Sequence, residues 1–328
     1  MQNLLFLIPD YIDKSHNYLQ IFGFKIYYYA LAITFGMLLC VLAAIPLFKK
    51  RGEQPDFLLD LMIGVIPCSI IMARLVYVLF DINSFHSFLE VIDIRSGGLA
   101  IYGGVAGGAL GIFIVCKIHK KPVLKFFDFG AVMLPLGQAI GRWGNYFNQE
   151  VYGAVDPKGI GLPVSVYIQS TGNYHYALFL WESLANLVLF ALLYWFLYRY
   201  QGKRNGYATG LYFIGYGVIR AIMEPMRDAQ FNLPLFGIEA LKGMEWVAII
   251  MIIAGTAILL VNYFRDLKDH GWAMNGKDMR AYFDYMFEKP KKKKKNAEEV
   301  QEEESTSVPV KKISAKKDEN KEETKDEK

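Results

Sequence analysis

The sequence predicts an all-α integral membrane protein, a bundle of about seven transmembrane helices with its N-terminus outside and its C-terminus in the cytoplasm. Three observations lead to this fold class. The chain is 53% hydrophobic and 15% aromatic. Its apolar residues come in long blocks, several of which reach the roughly 20 residues that cross a bilayer. Basic residues cluster after every second block, which sets the orientation of the bundle.

Seven blocks have the length of a membrane span, and we expect each of them to form a helix. Their predicted bounds are 28–48, 57–80, 99–118, 126–147, 177–198, 208–226 and 244–264.

Positive charge orients these spans, because cytoplasmic loops carry an excess of Lys and Arg. The basic residues after the first, third, fifth and seventh spans are Lys49, Lys50, Arg51, Lys117, Lys120, Lys121, Arg199, Lys203, Arg204, Arg265 and a lysine run. The opposite loops, at 82–95, 151–174 and 228–242, carry few. The end of the fourth span therefore lies at the outer face.

The segments that flank the spans differ from them in composition. Residues 1–25 lack a basic start and an Ala-x-Ala cleavage site, so we expect an outer interfacial segment and not a signal peptide. We expect residues 26–265 to form the seven-span membrane domain and 266–288 a cytoplasmic juxtamembrane segment. Residues 289–328 are charged and almost free of apolar side chains, which predicts a disordered cytoplasmic tail.

The fourth span ends in Gly-Arg-Trp-Gly-Asn-Tyr-Phe-Asn-Gln-Glu, residues 141–150. A charge within a span is costly, so Arg142 is a candidate functional residue. Spacings of four, three and four place Gln138, Arg142, Asn145 and Gln149 on one helix face. The alternative is an arginine that only anchors the helix end at the interface.

The sixth span carries a second polar stripe. Its members Tyr212, Tyr216, Arg220, Glu224 and Arg227 are four, four, four and three residues apart. The next residue after Glu224 is a proline, so we expect the helix to bend or end there. The alternative is that Arg220 and Glu224 form an intrahelical ion pair and nothing more.

The first three spans add weaker signals. Gly103, Gly107 and Gly111 recur every four residues, which predicts a face for close helix packing, whereas Tyr102 can point into a cavity. The second span places Arg74 on one face with a tyrosine, and the first contributes Tyr29. The sequence contains no P-loop, serine elbow or zinc motif.

Together these residues resemble the prolipoprotein diacylglyceryl transferases, over about residues 26–261. The most specific motif is Gly141-Arg142-x-Gly144-Asn145-Tyr146-x-Asn148-x-Glu150, followed by Gly153. Supporting motifs, in the family's order, are Ala73-Arg74-Leu75-x-Tyr77-Val78, Gly97-Gly98-Leu99-Ala100-Ile101-x-Gly103-Gly104, Phe179-Leu180-Trp181-Glu182-Ser183 and Tyr216-Gly217-x-x-Arg220-x-x-x-Glu224-x-x-Arg227.

The resemblance implies a multi-pass enzyme of the bacterial plasma membrane that works at the outer leaflet. Its partners would be phosphatidylglycerol, prolipoprotein signal peptides with a lipobox cysteine, and membrane lipids, with no nucleic acid. The resemblance implies no cofactor and no metal. Diacylglyceryl transfer to the cysteine thiol would form a thioether and release glycerol phosphate. The catalytic residues implied are Arg142, Arg220, Tyr102 and Glu150. Those implied for phosphatidylglycerol binding are Arg142, Asn145, Asn148, Tyr29, Arg74, Glu224 and Arg227.

Roles follow from the chemistry of these groups. Arginine binds phosphate oxygens in pairs, so we assign Arg142 and Arg220 to the phosphate. We expect Glu150 and Glu224 to orient the two arginines. Tyr102 stands where the family has histidine, and it is our candidate for positioning or relaying the thiol proton.

Two other functions fit the same polar residues. A transporter for an anionic solute also needs intramembrane arginines and broken helices, although the sequence has no internal repeat. A different phospholipid-modifying enzyme, such as an acyltransferase, is the other alternative, although no acyl-nucleophile motif is present.

Overall fold

A computed structural model of the chain describes residues 17–21, 24–82, 85–94, 97–200, 204–228, 234–235, 238–272 and 276–287. This part is mostly helical, with short antiparallel hairpins. The helices are α1 (Tyr28–Lys50), α2 (Asp56–Phe80), α3 (Phe88–Ile92), α4 (Ile101–Ile118), α5 (Val123–Asn148), α6 (Leu178–Arg199), α7 (Tyr207–Met223), α8 (Gly243–His270) and α9 (Gly276–Phe287). The strand pairs are β1 (Tyr18–Ile21) with β2 (Phe24–Tyr27), β3 (Ser165–Ile168) with β4 (Asn173–Tyr176), and β5 (Pro234–Leu235) with β6 (Ile238–Lys242).

Six of the described helices are long and apolar enough to cross a membrane: α1, α2, α4, α5, α6 and α8. The block predicted at 208–226 corresponds to α7, a helix of 17 residues. Large apolar side chains cover the outside of the helices; Ile63, Ile71 and Phe80, for example, are 73%, 65% and 85% exposed. So much exposed apolar surface suits lipid better than water. The fold is an integral membrane helical bundle.

Helix ends differ from the predicted ones for local reasons. α4 begins at Ile101, two residues later than predicted, because Ala100 is still extended, with φ of −79° and ψ of 122°, and its N–H donates to the Ala73 carbonyl of α2 at 3.0 Å. α8 runs six residues beyond the predicted 264, to His270. α7 ends at Met223 and a 3₁₀ turn, Glu224–Met226, follows it. This confirms the predicted end beside Glu224.

The glycines of α4 form a seam against α2. A Cβ added at Gly107 would overlap the carbonyl oxygen of Cys68. One added at Gly103 would lie 2.8 Å from the Cα of Ala73, and one at Gly111 would be similarly close to the α2 backbone. The two backbones approach as closely as they do because these positions lack side chains, which confirms the predicted packing face.

We expect Gly107→Ala to destabilise the bundle by about 1–3 kcal/mol, the usual cost of overpacking, because the new methyl group would overlap backbone that cannot move freely. Gly104→Ala is the matched control on the same helix: its nearest neighbour would be the Ala73 Cβ at 3.9 Å, an ordinary contact. The measurement is thermal unfolding of the two purified proteins in detergent. Equal midpoints would contradict the seam.

Asp128 ties α5 to the start of α7. This contact lies at the end of the bundle where α1, α4, α6 and α8 finish, called the lysine-rich end below. The Asp128 carboxylate accepts hydrogen bonds from the Gly206 N–H at 2.6 Å, the Thr209 N–H at 2.9 Å and the Thr209 hydroxyl at 2.8 Å. A carboxylate at a helix N-terminus satisfies donors that the helix itself leaves unpaired. The register of α7 against α5 is therefore fixed.

The same end of the bundle joins α7 to α8 and α9. The Tyr207 hydroxyl donates to Asp266 at 2.6 Å and lies 2.8 Å from the Tyr282 hydroxyl. Arg204 Nε donates to the same Asp266 carboxylate at 2.7 Å. α9 thus packs on the bundle within the predicted juxtamembrane segment 266–288.

Residues 149–177 form a folded cap at the opposite end of the bundle, over the end of α5 and the start of α6. The cap contains the β3–β4 hairpin, in which Val166 pairs with His175. Its apolar core is formed by Tyr146, Tyr152, Val166, Ile168, Ala177, Phe179 and Leu180. The predicted interfacial segment 1–25 is described only at 17–21 and 24–25, and the predicted disordered tail 289–328 lies outside the described residues.

Candidate active site

Three arginines and two glutamates meet beside this cap. Arg142 comes from the end of α5 and Glu182 from the second turn of α6, while Arg220, Glu224 and Arg227 lie at and just after the end of α7. Glu182 Oε2 lies 2.5 Å from Arg142 Nη2 and 4.0 Å from Arg220 Nη1. Glu182 Oε1 accepts a hydrogen bond from Arg227 Nη2 at 3.1 Å. We call these five side chains the ion cluster.

The second carboxylate of the ion cluster completes the pairing. Arg220 donates to Glu224 one helical turn later, and Arg227 Nε lies 3.6 Å from the same carboxylate. The turn at Pro225 brings this about, because it ends α7 and carries the chain back past Glu224. The charged members of the predicted stripe, Arg220, Glu224 and Arg227, are therefore in contact with one another.

The ion cluster is buried and carries a surplus positive charge. The side chains of Glu182 and Glu224 are 1% exposed, those of Arg220 and Arg227 7%, and that of Arg142 17%. Three guanidinium groups against two carboxylates leave one net positive charge. Burying an unpaired charge is costly, so an arrangement of this kind favours an anion that neutralises it.

The hydrogen bonds also leave donor capacity in the ion cluster. Among the described residues, the buried Nε of Arg227 has no hydrogen-bond acceptor. Glu182 Oε2 is in charge contact with Arg142 without an aligned hydrogen bond. Burial lowers the pKa of the Arg227 guanidinium, yet an arginine stays charged because its ordinary pKa is above about 12. Planar guanidinium donors suit the oxygens of a phosphate or a carboxylate.

Space beside Arg142 is available for such a ligand. A Cβ added at Gly141 would have no neighbour within 4 Å. Gly144 differs, because the ring of Tyr29 packs directly on it. The first glycine of the motif thus faces open space, and the second lets an aromatic ring of α1 approach α5.

Tyr29, Asn148 and Glu150 line a cavity of about 400 Å³ next to the ion cluster. Tyr29 lies within electrostatic range of both Glu150 and Arg142, which connects the cavity with the arginines. Asn148 Nδ2 donates to Glu150 Oε1 at 3.3 Å. The remaining lining residues are Asn17, Tyr27 and Ala30.

The structure corrects the role expected for Glu150. Within the described part of the chain, the carboxylates paired with the arginines are Glu182 and Glu224, whereas Glu150 is exposed and bonded to Asn148. α5 has already ended when the chain reaches Glu150, since Gln149 takes the left-handed conformation with φ of 51°. Glu182 is the residue that sequence reasoning missed, although a carboxylate within an apolar span was a signal for it.

Asn145 is half-buried in the last turn of α5. It lies three residues after Arg142 and so on the same helix face. Its carbonyl accepts a hydrogen bond from the Glu150 N–H at 3.0 Å. The two other amide side chains predicted for this face have partners outside the ion cluster. Gln138 Nε2 donates to the Tyr212 hydroxyl at 2.9 Å, and Gln149 Oε1 accepts from the Gln169 N–H at 2.9 Å.

Tyr102 stands at the start of α4 and reaches the ion cluster. Its phenol lies within electrostatic range of Arg220, Glu224 and Arg227, and its side chain is 53% exposed. The following residue, Gly103, sits on the α2 backbone. The packing of Gly103 on α2 therefore fixes the position of Tyr102 along the axis of the bundle. This position lies near the arginines of the ion cluster.

Arg74 has a different place from the one expected for a lipid-binding residue. It is 7% exposed, and its guanidinium donates to the carbonyls of Glu90, Val91, Gly97 and Gly98 at 2.6, 2.8, 2.7 and 3.0 Å. Most of its donor capacity is thus used to hold the segment that leads into α4. Arg74 positions this segment, which ends four residues before Tyr102.

Comparisons with known proteins show what the chain is similar to. The sequence model of one family, described as prolipoprotein diacylglyceryl transferase, matches residues 16–261. The phosphatidylglycerol–prolipoprotein diacylglyceryl transferase of Finegoldia magna is 36% identical over 249 residues, which cover 76% of this chain and 95% of that protein. The protein of the same name from Streptococcus pneumoniae strain Hungary19A-6 is 36% identical over 250 residues, 75% of this chain and 92% of the relative.

Proposed function

Because the chain belongs to the prolipoprotein diacylglyceryl transferase family, we propose that it transfers the diacylglyceryl group of phosphatidylglycerol to the lipobox cysteine of prolipoproteins. The products are a thioether-linked lipid and glycerol phosphate, and the reaction is the first step of bacterial lipoprotein maturation. The observation that carries the proposal is the ion cluster, in which three arginines face two carboxylates.

The proposed topology is a seven-span bundle in the bacterial plasma membrane, with the N-terminus outside. α7 adds the remaining span, the sixth in chain order; its 17 residues correspond to about 26 Å of helix, slightly less than the roughly 30 Å hydrocarbon core. The lysine-rich end faces the cytoplasm, since loops there carry the excess of Lys and Arg. With this orientation the ion cluster lies toward the outer leaflet. The proposed catalytic domain comprises residues 26–265.

The proposed substrate matches the charge of the site. Phosphatidylglycerol carries one negative charge on its phosphate, and the ion cluster has one surplus positive charge. Arg142, Arg220 and Arg227 hold the phosphate oxygens in this proposal. The amides of Asn145 and Asn148 donate further hydrogen bonds, and Glu182 and Glu224 keep the guanidinium groups oriented.

The chemical step is a displacement at carbon. The cysteine sulfur forms a bond to the carbon of the diacylglyceryl group that carries the phosphate. The bond from that carbon to the phosphate oxygen breaks, so the phosphate leaves with the headgroup glycerol. The electron pair of the broken bond goes to the oxygen, so charge develops on the departing phosphate. Guanidinium donors that are already in place stabilise this charge without reorganising. The thiol proton leaves with the glycerol phosphate or passes to water.

Tyr102 is the proposed group that positions or relays the thiol proton. It lies near the arginines, where the family has histidine. A thiol is mostly protonated near neutral pH, and the thiolate is the better nucleophile. A positive ion cluster also favours the thiolate, so the tyrosine shares the task with the arginines.

We expect Tyr102→Phe to lower kcat by about 100-fold, the lower range for losing a proton-transfer group, while phosphatidylglycerol binding changes little. The measurement is initial-rate kinetics in mixed micelles. Tyr198→Phe is the control, because Tyr198 is an exposed tyrosine at the lysine-rich end. Full activity of Tyr102→Phe would remove this hydroxyl from the mechanism.

One assay tests the proposed function against its alternatives. Purified protein in phosphatidylglycerol vesicles receives lipid labelled in both acyl chains and a lipobox peptide. We expect labelled peptide whose linkage resists hydroxylamine, since a thioether does not react with it. A hydroxylamine-labile product would indicate acyl transfer instead. Uptake of an anionic solute without any peptide product would indicate a transporter.

A further inference from the structure

His175 is a buried histidine of the cap, 2% exposed, that belongs to strand β4. Its Nδ1 lies 2.8 Å from the Gly153 carbonyl oxygen and its Nε2 lies 2.9 Å from the Thr171 hydroxyl. A carbonyl only accepts hydrogen bonds, so Nδ1 carries a proton and donates to Gly153. The ring also packs on Tyr152, with centroids 4.4 Å apart. Both ring nitrogens are used, so His175 does not serve as the base for the thiol.

His175 contacts the Tyr152–Gly153 backbone, and the same stretch of backbone is also bonded to the segment of Arg227. Gly153 forms an antiparallel β-bridge with Arg227. The Asp228 N–H donates to the Tyr152 carbonyl at 3.2 Å, and an Asp228 carboxylate oxygen lies 3.8 Å from His175 Nδ1. The cap thus reaches the ion cluster through the Tyr152–Gly153 backbone.

Gly153 itself has little freedom to shift. Its N–H donates to the Tyr176 carbonyl at 3.0 Å. A Cβ added there would lie 2.8 Å from the Tyr176 Cβ and 3.1 Å from the Met226 carbonyl oxygen. Because Gly153 is enclosed on both sides, a shift of β4 would also shift the backbone at 226–227.

The position of this backbone decides where the Arg227 guanidinium lies. Arg227 Nη2 donates to Glu182 at 3.1 Å, and its Nε lies 3.6 Å from Glu224. A backbone shift of 1 Å would break these contacts, because hydrogen bonds weaken steeply beyond about 3.2 Å.

We propose that His175 is a positioning residue for the anion site: by donating to Gly153 it sets Arg227 against Glu182. We call the contacts that run from His175 through Gly153 to Arg227 the clamp. The identity of the anion, phosphatidylglycerol, rests on the proposed function, whereas the clamp joins the cap to the ion cluster whichever anion binds.

Three variants of His175 separate the clamp from simple folding. Leu removes both hydrogen bonds. Asn places an amide N–H near the position of Nδ1, so it can still donate to Gly153, whereas Gln reaches toward the position of Nε2 and Thr171. Thr171→Val is the matched control, because it removes the contact at Nε2 and the hydrogen bond from the Thr171 hydroxyl to the Ile168 carbonyl but keeps the contact at Nδ1.

We expect His175→Leu to raise the apparent KM for phosphatidylglycerol about tenfold, the size of effect that follows the loss of one buried hydrogen bond, with the KM for the lipobox peptide unchanged. His175→Asn restores the KM to within about threefold, whereas His175→Gln does not. Thr171→Val stays within about twofold of the unchanged protein.

Hydrogen exchange in detergent gives a readout that does not depend on activity. The Arg227 and Asp228 amides, bonded to Glu224 and Tyr152, should exchange faster in His175→Leu and return toward the original rate in His175→Asn. Unchanged exchange at 227–228 together with an unchanged lipid KM would overturn the proposal. So would faster exchange throughout α1 and α2, since His175 would then support the whole fold. If the unchanged protein forms no thioether, the proposed function fails, while the exchange result still tests the clamp.

Discussion

Arg142→Lys and Arg220→Lys are each expected to lower kcat/KM by about 100-fold or more, the loss seen when one donor to a developing oxyanion is removed, while the protein still inserts and folds. Lysine keeps the positive charge but has no planar pair of donors. Arg220 uses its guanidinium to contact Glu182 and Glu224 at once, and a single ammonium group cannot make both contacts and bind a phosphate. kcat should fall with kcat/KM, because the charge builds up in the transition state.

The measurement is thioether formation by purified variants in phosphatidylglycerol micelles, with protein amounts matched by size-exclusion profiles. Arg199→Lys is the matched control, an exposed arginine in the last turn of α6 at the lysine-rich end. We expect it to retain full activity. Turnover within threefold of the unchanged enzyme in either Arg142→Lys or Arg220→Lys would remove that arginine from phosphate stabilisation.

Glu182→Gln is expected to have a comparably large effect on both stability and activity. Glu182 contacts Arg142, Arg220 and Arg227 and is 1% exposed. Without its charge, three buried guanidinium groups share the one carboxylate of Glu224. Breaking a buried ion pair by removing one partner costs about 3–5 kcal/mol. Activity should fall by about 100-fold or more as well, since small displacements of reacting groups cost this much.

Thermal unfolding and transferase activity are measured on the same preparations. Glu182→Asp keeps the charge but shortens the side chain, so it should recover stability more than activity. Asp60→Asn controls for the loss of a carboxylate from a helix of the bundle, because Asp60 has a side chain 45% exposed and only a long contact with His119. A Glu182→Gln protein as stable and as active as the unchanged enzyme would refute the account of the ion cluster.

Much of this fold follows from the sequence, because hydrocarbon imposes simple rules. The apolar blocks, the basic loops and the four-residue glycine spacing of α4 predicted the helices and their closest seam. Four members of the ion cluster were also predicted, because Arg220, Glu224 and Arg227 share a helix face and Arg142 ends a span. The structure adds that the arginines of both spans contact one carboxylate.

The parts that could not be predicted depend on which helices meet. Helical periodicity assigns Glu182 to a face of α6 but says nothing about the three arginines that this face touches. Arg74 was misjudged because its partners are backbone carbonyls, which leave no mark on the sequence pattern. The capping of α7 by Asp128 joins residues 78 positions apart. The β3–β4 hairpin was not predicted, because strand alternation in this segment is weak, although the loop 169–172 contains a serine, a threonine and a glycine that signal a turn.

The surroundings of Tyr102 indicate which role a tyrosine can take where the family has histidine. The family's histidine would offer a base, whereas a phenol near two guanidinium groups, those of Arg220 and Arg227, is better suited to donating and orienting. The ion cluster itself then carries more of the thiol activation, since positive charge favours the thiolate. This division of roles predicts a milder effect for Tyr102→Phe than for the loss of either arginine.

The central claim, that the ion cluster holds the phosphate which leaves in the reaction, is tested most directly by following that phosphate. The measurement uses phosphatidylglycerol labelled in its headgroup glycerol, a lipobox peptide and the purified enzyme, with released glycerol phosphate and thioether product quantified together. We predict one glycerol phosphate for each thioether formed, and a loss of both products by about 100-fold or more with Arg220→Lys. Lipid-modified peptide without release of headgroup phosphate, or unimpaired release by that variant, would contradict the account.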